Sequence, residues 1–504
     1  MSITRSLSLF AALAFCLAPT LRAAAEAFDF EVLQFRAKGL AAQPYKERPS
    51  RVPESMLKYS YDQYRKIQFD GAHSWWRNEK LPFELQFFHP GWLNKKTVQI
   101  NELDGKEIKP IEFSKQMFTY GDKKPWLNPS GMGFAGFRIL NELNQPGKMD
   151  ELVAFQGASY FRALARELRY GLSARGLALN TAEAGGEEFP TFEEFWVEQP
   201  APTATAITVY ALMDSPSVAG AYKFVITPGV ETVIRVRAAV YCRKNPKVFG
   251  IAPLTSMYAH GENTGWSRTD FRPEVHDSDG LLVQTGAGEW IWRPLTNPKA
   301  VRVVSFMDQA PRGFGLLQRD RQFEHYDDLE AHYHQRPSAW VEPLGNWGAG
   351  SIRLVELPTP DETEDNIVAF WVPAQLPPPG EPIAFEYNLH WMADSGHRPP
   401  AGYVYSTRFA DVMSRPELKR IVIEFAGSYL SAEADGSDIE AVVSVGAGAR
   451  QDGGVVVQKN HAAGTWRVVF EVQAAPGGAP VELRCFLRKG QHVLTETWSY
   501  LWNP

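Results

Sequence analysis

A chain of 504 residues is longer than one hydrophobic core usually supports, so we expect two domains. Its 52 basic and 58 acidic residues are scattered and leave a formal net charge of -6, which excludes the basic stripe that nucleic acid requires. Aromatic residues make up 12% of the chain and include 15 Trp, a content that suits both wide β-sheet cores and binding sites for sugar rings.

The first residues have the pattern of a signal peptide. Arg5 precedes an apolar run over residues 7–17, and small residues around Ala25 offer a cleavage site. We therefore predict a signal peptide over residues 1–25 and export of the remaining chain. No twin-arginine pair precedes the apolar run, which favours the general secretory (Sec) route. No later stretch approaches the length of a membrane span, so we expect no membrane insertion.

Strand patterns dominate the chain after this segment. Helices are predicted only over residues 53–64, 160–172 and, more weakly, 326–334. Alternating or β-branched runs predict strands over residues 85–88, 98–102, 206–212, 222–226, 231–242, 281–284, 289–294, 301–306, 351–357, 367–372 and 384–391. This pattern indicates a large all-β domain.

Segments rich in Pro and Gly mark the end of the large domain, at residues 376–382 and 394–400. We place the boundary at the second segment, which divides the chain into domains over residues 26–394 and 395–504. The second domain shows short strands over residues 420–425, 441–445, 455–459, 465–472, 481–487 and 493–498, with Gly-rich turns between them. Such spacing is typical of an immunoglobulin-like sandwich.

Cysteine, glycine and histidine patterns favour no cofactor. Cys242 and Cys485 lie in strand-like runs of different domains, which favours two buried free thiols over a disulfide. The G-x-G-x-x-G pattern that begins at Gly131 is followed by a strand pattern instead of a helix, so we expect a turn and no dinucleotide. The histidines at 260, 276, 325, 332 and 334 match no strong ligand spacing, and no metal is predicted.

Two acidic loops are the candidates for chemistry. Residues 271–281 contain Glu274, Asp277 and Asp279 together with His276, and residues 361–366 contain Asp365. Glycoside hydrolysis needs two such carboxyl groups on opposite sides of a sugar bond, and both loops precede a predicted strand, so a cleft could bring them together. The alternatives are that Asp279 and the following glycine form a hairpin turn, and that residues 361–365 are a solvated loop.

Aromatic residues surround the first loop in sequence. Tyr258 and Trp266 precede it, and Trp290 and Trp292 follow it. Their flat apolar faces and polar edges suit sugar rings, so Tyr258 and Trp266 are candidates for substrate binding.

Several longer motifs carry a family resemblance. They are Trp126-Leu-Asn-Pro-Ser-Gly-Met-Gly-Phe, Phe155-Gln-Gly-Ala-Ser-Tyr-Phe-Arg-Ala, Tyr170-Gly-Leu-Ser-Ala-Arg-Gly-Leu-Ala, Phe189-Pro-Thr-Phe-Glu-Glu-Phe-Trp, His276-Asp-Ser-Asp-Gly-Leu, Phe323-Glu-His-Tyr and Glu342-Pro-Leu-Gly-Asn-Trp-Gly. The chain resembles the periplasmic glucan biosynthesis proteins G and D from about residue 28 to its C-terminus. Lacking a twin-arginine signal, it is more similar to the G member.

The resemblance implies a mutarotase-like β-sandwich, a C-terminal immunoglobulin-like sandwich, a periplasmic location and a part in making osmoregulated β-1,2-linked glucans. Relatives also act as β-1,2-glucan endo-hydrolases that invert the anomeric centre. Matching their acidic pair onto this sequence points to Asp365 as general acid and Asp277 as the base end, with Asp279 as a competitor for the second role. His276 and Glu274 are candidates for a proton relay.

Three functional hypotheses follow. The first is an inverting hydrolase of β-1,2-glucan chains. The second is a non-catalytic glucan-binding or assembly factor that guides nascent chains as they leave the inner membrane, with the glucan synthesis machinery there as its partner. The third, a mutarotase-like epimerase of free sugars, requires a cleft closed around one ring.

Overall fold

The computed structural model describes residues 28–121, 132–264, 269–393, 396–397 and 399–504. Four of the predictions lie outside these residues: the signal peptide, the first glycine of the G-x-G-x-x-G pattern (Gly131), the binding candidate Trp266 and the domain boundary at residues 394–395.

Helices are few within the described residues. The α-helices are α1 (Phe30–Ala41), α2 (Glu54–Leu57), α3 (Tyr61–Tyr64) and α4 (Ser428–Ala432). The helix predicted over residues 53–64 is present as two single turns, whereas α1 was not predicted. Its first turn is capped by Asp29, whose carboxylate accepts a hydrogen bond from the Val32 N–H at 2.9 Å. No helix among the described residues is long and apolar enough to cross a membrane.

The other two helix predictions are wrong. Residues 160–163 form a strand that pairs with strands on both sides, and residues 326–334 contain only part of the short 3-10 turn Tyr333–Gln335. Cross-strand hydrogen bonds and burial of Phe161 and Ala163 outweigh the local helical pattern at the first segment.

The first seventeen strands lie between residues 68 and 276, and the last of them is part of the first acidic loop. They are β1 (Gln68–Phe69), β2 (Phe83–Phe88), β3 (Gln99–Asp104), β4 (Glu107–Pro110), β5 (Phe118–Thr119), β6 (Gly136–Gln145), β7 (Lys148–Gln156), β8 (Tyr160–Ala163), β9 (Ser173–Arg175), β10 (Leu177–Leu179), β11 (Thr191–Glu198), β12 (Ile207–Asp214), β13 (Val218–Thr227), β14 (Thr232–Cys242), β15 (Phe249–Ser256), β16 (Tyr258–His260) and β17 (Val275–His276).

The remaining strands complete the large sandwich and form the smaller one. They are β18 (Gly280–Gln284), β19 (Trp290–Pro294), β20 (Arg302–Gln309), β21 (Gly313–Leu317), β22 (Ser338–Leu344), β23 (Ala349–Glu356), β24 (Ile367–Pro373), β25 (Pro382–Met392), β26 (Tyr403–Asp411), β27 (Leu418–Ala426), β28 (Ile439–Val445), β29 (Ala449–Asn460), β30 (Thr465–Ala474), β31 (Val481–Lys489), β32 (His492–Val493) and β33 (Thr497–Trp502). Every segment predicted as a strand overlaps one of these strands.

Two large sheets enclose the main core. The first has ten strands in the order β2-β6-β7-β8-β9-β15-β24-β23-β20, with β10 also paired to β15. The second has fifteen strands in the order β28-β31-β33-β19-β18-β21-β22-β25-β14-β13-β12-β11-β3-β4, with β32 beside β31. Aromatic rings such as Phe155, Phe195 and Phe224 fill the space between the sheets, and α1 covers part of the second sheet. The predicted all-β sandwich architecture is confirmed.

A smaller sandwich follows. In it the four-stranded sheet β26-β27-β30-β29 faces β28, β31 and β33 of the fifteen-stranded sheet. β33 pairs in parallel with β19, so one sheet runs continuously from the large sandwich into the small one. Four large side chains of the preceding strands, Leu282, Trp292, Leu317 and Trp340, belong to the second core. The boundary at residues 394–395 stays a prediction. Cys242 and Cys485 are buried and free, as predicted.

A buried ion pair joins the two sandwiches. Nη1 of Arg319 lies 2.6 Å from Oε1 of Glu496, and Nη2 lies 3.0 Å from Oε2. Glu496 also accepts a hydrogen bond from the Val404 N–H at 2.7 Å, and the Arg319 guanidinium lies over the Trp292 ring at 3.6 Å. The side chains are 8% and 0% exposed, so solvent screens this pair very little.

We expect Glu496→Ala to lower the free energy of unfolding by about 3–5 kcal/mol, because it leaves the Arg319 charge buried without its carboxylate. Replacing both partners, as in Arg319→Met with Glu496→Leu, removes that uncompensated charge and should cost less than the single change. Glu440→Ala is the control, because its pair with Arg488 is solvent-exposed and should contribute less than about 1 kcal/mol. Urea unfolding of the four proteins measures these differences. A Glu496→Ala protein as stable as the control would contradict the prediction.

Candidate functional site

Asp277 is a buried carboxylate at the end of the short strand β17. Its backbone N–H donates to the Met257 carbonyl at 2.9 Å, and its side chain forms an ion pair with Arg336. Burial raises the pKa of the Asp277 carboxyl above its ordinary value; the Arg336 charge opposes this shift and the Asp365 charge adds to it. Asp277 is therefore held in place by one cation and lies within electrostatic reach of the second predicted aspartate.

Asp365 lies just before β24, at the end of an exposed loop. Its Oδ2 atom is 3.7 Å from Nη2 of Arg162, and the two side chains are 31% and 46% exposed. Arg162 reaches this position because its neighbours on β8, Phe161 and Ala163, point into the core. Arg162 also donates to the Ser173 hydroxyl at 2.7 Å. The structure thus brings together the two predicted aspartates and two arginines.

Asn366 connects the two acidic loops. Its side-chain oxygen accepts from the Tyr258 N–H at 2.8 Å, and its amide nitrogen donates to the carbonyls of Tyr258 and Leu357, each at 3.0 Å. Tyr258 in turn pairs with His276 across β16 and β17. Because Asn366 is buried next to Asp365, and Tyr258 pairs with the strand that ends just before Asp277, this amide fixes the position of one loop relative to the other.

The sequence left a non-catalytic alternative open for each loop: a hairpin turn at Asp279 and Gly280, and a solvated loop over residues 361–365. Gly280 is the first residue of β18, which pairs with β19 and β21, whereas β17 pairs with β16, so Asp279 and Gly280 do not form a hairpin turn and this alternative is wrong. The second loop is exposed over residues 361–365, as expected of a solvated loop. It is nevertheless anchored, since Glu362 lies 3.0 Å from Arg272.

His276 points away from Asp277 into a different buried network. Its Nε2 atom lies 2.8 Å from the Glu274 carboxylate and 3.6 Å from that of Asp279, and its Nδ1 atom lies 3.0 Å from Oε1 of Gln318. Within the part of the chain that the structure describes, these side chains share no hydrogen-bond or ion-pair partner with the Asp277 carboxylate. The structure therefore groups the predicted relay residues with one another and not with the aspartate pair.

Burial and charge shift several pKa values in this network. Burial lowers the pKa of His276, but its hydrogen bond with Glu274 and the charges of Asp279 and Glu274 outweigh that effect and raise the pKa to about 9. Burial raises the pKa of Asp279 to about 6, although the His276 charge opposes the shift. Burial likewise raises the pKa of Glu262, which lies against Arg408 of the small sandwich, to about 8.

The predicted aromatic platforms near this loop are packed inside the protein. Tyr258 is buried, stacks on His276 with ring centroids 5.2 Å apart, and hydrogen-bonds through its hydroxyl to Asn263. Trp290 stacks on Trp340, and Trp292 lies under Arg319. Tyr258 and Trp292 are therefore buried and offer no open face to a sugar, whereas Trp290 is partly exposed.

Open aromatic surface lies instead beside Tyr160. A cavity of about 280 Å³ is lined by Tyr160, Phe189 and Gln156, and a second of about 360 Å³ shares Lys96 and other lining residues with it. Burial raises the pKa of Tyr160, and the Asp365 charge adds to this shift, so this ring of the cavity lining lies within electrostatic reach of Asp365. Arg175 packs under the Tyr160 ring at 4.7 Å and holds it in place.

Carboxylate and imidazole groups where the two sandwiches meet have the spacing of metal ligands, but the hydrogen bonds of His276 argue against a metal on that ring. Glu274, His276 and Asp279 lie close enough to share an ion, as do Glu274, Asp320 and His325. The Gln318 amide nitrogen donates to two carbonyls, so its oxygen faces Nδ1 of His276, which must carry a proton. The other ring nitrogen faces Glu274, and the raised pKa of His276 keeps the ring protonated near neutral pH, so in that state the imidazole donates from both nitrogens and offers no lone pair to a metal.

Sequence reasoning missed Arg162, Arg336, Asn366 and Tyr160. The sequence of β8, in which apolar Phe161 and Ala163 alternate with polar positions, contained the signal for Arg162 but was assigned to a helix. No local pattern indicates that Arg336 pairs with Asp277, because 59 residues separate them.

Comparison with known proteins agrees with the motifs. A family model described as "Periplasmic glucan biosynthesis protein, MdoG" matches residues 28–502. The chain is 46% identical over 492 residues to a curated protein of Ralstonia nicotianae (strain ATCC BAA-1114 / GMI1000) named "Glucans biosynthesis protein G". That match covers 95% of this chain and 97% of the relative.

The buried His276 predicts a pH dependence of stability. Its pKa rises from 6.5 to about 9 in the folded protein, so its contribution is complete below pH 6.5 and is lost as the pH rises to 9. This contribution amounts to about 3 kcal/mol. Between pH 6.5 and 9, we expect the free energy of unfolding to decline less in His276→Gln than in the wild type. Urea unfolding at several pH values measures this difference. The exposed His73, changed to Gln, is the control and should keep the wild-type decline. An equally steep decline in His276→Gln would refute the assignment.

Proposed function

Because the chain belongs to the MdoG family of periplasmic glucan biosynthesis proteins, we propose that it processes β-1,2-linked glucan as an anomer-inverting endo-hydrolase. The observation that carries this proposal is electrostatic proximity: the charge of Asp365 acts on Asp277 of the other loop and on Tyr160, which lines a cavity with aromatic residues. The β-1,2 linkage and the inverting outcome rest on the family resemblance. The Sec-type signal peptide is the proposed route to the periplasm.

Asp365 serves as the general acid in this mechanism. It lies at the exposed end of its loop, where a glycosidic oxygen can approach, and it donates the proton that the leaving oxygen takes as the C–O bond breaks. Its contact with Arg162 at 3.7 Å is an ion pair without a hydrogen bond, so a sugar oxygen can compete for the carboxyl.

Asp277 serves as the base end. The attacking water adds to the anomeric carbon from the opposite face and loses a proton, which Asp277 accepts. Because this carboxylate is buried against Arg336, the proton reaches it through intervening waters or hydroxyl groups. Glu274, His276 and Asp279 lie in the other network, and we assign them to the junction between the sandwiches.

Tyr160 and Phe189 are the proposed platforms for sugar rings. Both line the cavity of about 280 Å³, and Phe189 is half exposed. The Arg175 guanidinium lies 4.7 Å from the Tyr160 ring and 5.6 Å from the Phe189 ring, so it holds the two aromatic side chains together. Aromatic faces of this kind bind the apolar C–H patches of sugars.

The pairing of both aspartates with arginines favours a second candidate function. Two ion pairs, Asp277 with Arg336 and Asp365 with Arg162, make the local charge nearly neutral, which suits the binding of an uncharged polysaccharide without cleavage. In this alternative the protein is a glucan-binding or assembly factor that receives nascent chains from the inner-membrane synthesis machinery.

Hydrolysis of linear β-1,2-glucan tests the first function. We expect the protein lacking residues 1–25 to release reducing ends, and Asp365→Asn and Asp277→Asn to slow release by about 100-fold or more, because each removes a proton-transfer group. Glu364→Gln, next to Asp365 in the exposed loop, is the matched control and should keep the wild-type rate.

Three outcomes of that experiment differ in meaning. Unchanged activity in Asp365→Asn would contradict the assignment of Asp365 as the general acid. Retention of the anomeric configuration, followed by NMR at early times, would contradict inversion. Calorimetric binding of the glucan with no release of reducing ends would favour the glucan-binding factor.

Asn366 is a positioning residue, and its removal should affect turnover more than binding. We expect Asn366→Ala to lower kcat by about 10-fold or more with little change in KM, because the Asp365 loop loses its three hydrogen bonds to Tyr258 and Leu357. Asn141→Ala, which removes one hydrogen bond to Pro82 from a strand that carries neither aspartate, should leave both constants unchanged. Equal losses of kcat in the two variants would mean that Asn366 is merely structural.

A further inference from the structure

A cluster of two histidines and a glutamate lies on the outer side of the fifteen-stranded sheet. His390 is on β25, Glu231 immediately precedes the neighbouring strand β14, and His397 follows β25. Glu231 contacts Nδ1 of His390 and lies 3.8 Å from Nε2 of His397. One ligand atom from each residue lies within 4.8 Å of the other two. The three side chains thus point their donor atoms at one small volume.

The surroundings of His390 provide a second and independent observation. Its other ring nitrogen, Nε2, donates to Oε2 of Glu342 at 3.2 Å, and Asn388 holds that same carboxylate with a hydrogen bond of 2.8 Å. Histidines that bind metals almost always donate their second ring N–H to a carboxylate or carbonyl in this way. The outer carboxylate fixes the ring so that Nδ1 faces Glu231 and His397.

His397 is also oriented by its neighbours. Its ring stacks on Trp340 with centroids 5.5 Å apart and an interplanar angle of 16°, and its centroid lies 4.5 Å from that of His390. Stacking on a buried tryptophan limits the rotation of the imidazole. The position of Nε2 therefore follows from packing and not only from its contact with Glu231.

We propose that Glu231, His390 and His397 form a binding site for a divalent transition metal, with Zn²⁺ as the best fit. Two imidazoles and one carboxylate are a common zinc ligand set, and three protein ligands leave a fourth position for water or another ligand. Mg²⁺ and Ca²⁺ prefer oxygen ligands and fit poorly. On binding, the metal replaces the proton on Nδ1 of His390, which leaves to solvent, while Nε2 keeps its proton for Glu342.

This site would tie the predicted linker to the large sandwich. His397 lies within the Pro- and Gly-containing segment over residues 394–400, whereas Glu231 and His390 belong to the sheet. A metal ion would therefore fix the chain at the point where it leaves the large sandwich. None of the ligands contacts Asp277 or Asp365 among the described residues, so the proposal stands independently of glucan hydrolysis.

Zinc titration of the protein lacking residues 1–25 tests the proposal. After removal of metals with a chelator, we expect calorimetry to show one Zn²⁺ per chain with proton release, and Co²⁺ to give the visible absorption of a low-coordinate site. His397→Ala and Glu231→Gln should each weaken zinc binding by at least about 10-fold, and Glu342→Gln by about 10-fold through the ring orientation. His461→Ala is the control, since that exposed histidine pairs with Asp435 elsewhere and should leave affinity unchanged.

Thermal unfolding without metal verifies that each variant is folded before its affinity is compared. Zinc should then raise the midpoint of unfolding of the wild type and of His461→Ala, but not that of His397→Ala. Equal zinc affinity in the wild type, His397→Ala and Glu231→Gln would overturn the proposal. Binding of Mg²⁺ as tight as that of Zn²⁺ would overturn the identity of the metal.

Discussion

Neighbouring side chains of an extended strand point to opposite sides, and this constraint at His276 and Asp277 divides the polar chemistry of the molecule in two. Asp277 faces Arg336 and the second acidic loop. His276 faces Glu274, Gln318 and Asp279, toward the small sandwich. The six-residue stretch from Glu274 to Asp279 contributes one carboxylate to the candidate site and two to the junction between the sandwiches, although all three look alike in sequence.

The two sandwiches share a sheet, and the ionisable side chains enclosed where they meet are paired with one another. Parallel pairing joins β33 to β19, the outermost strand that the large sandwich contributes to the shared sheet, and the second core includes side chains from both parts. Polar groups enclosed there must find partners inside the protein. Arg319 with Glu496, and His276 with Glu274, satisfy one another at this interface. Buried ionisable groups here have a structural cause, which explains why perturbed pKa values alone do not mark the catalytic residues.

The strands that were predicted were found because their signal is local, whereas others such as β7, β11, β15 and β26 were not predicted. Alternation and β-branched residues within six to ten positions suffice to indicate a strand, and the structure has one at every predicted segment. Helix α1 was missed because its apolar residues pack against a sheet formed by distant strands. Arg162 was missed because its segment was predicted to be a helix. Arg336 was missed because it lies far from Asp277 along the chain. The aspartate pair itself came from family resemblance, since a carboxylate in a loop does not reveal which way it points.

The strengths of the two arginine pairs differ in a way that bears on the roles of the aspartates. Asp277 and Arg336 form a close contact in which the carboxylate is only 5% exposed, so separating them would leave a buried charge without a partner. Asp365 and Arg162 are 3.7 Å apart and partly solvated, so their attraction is weak and either group can exchange its partner at little cost. A general acid must release its existing contact to meet the leaving oxygen, whereas a base that receives a proton through water can remain fixed. The looser of the two aspartates is Asp365, and this difference supports its assignment as the acid.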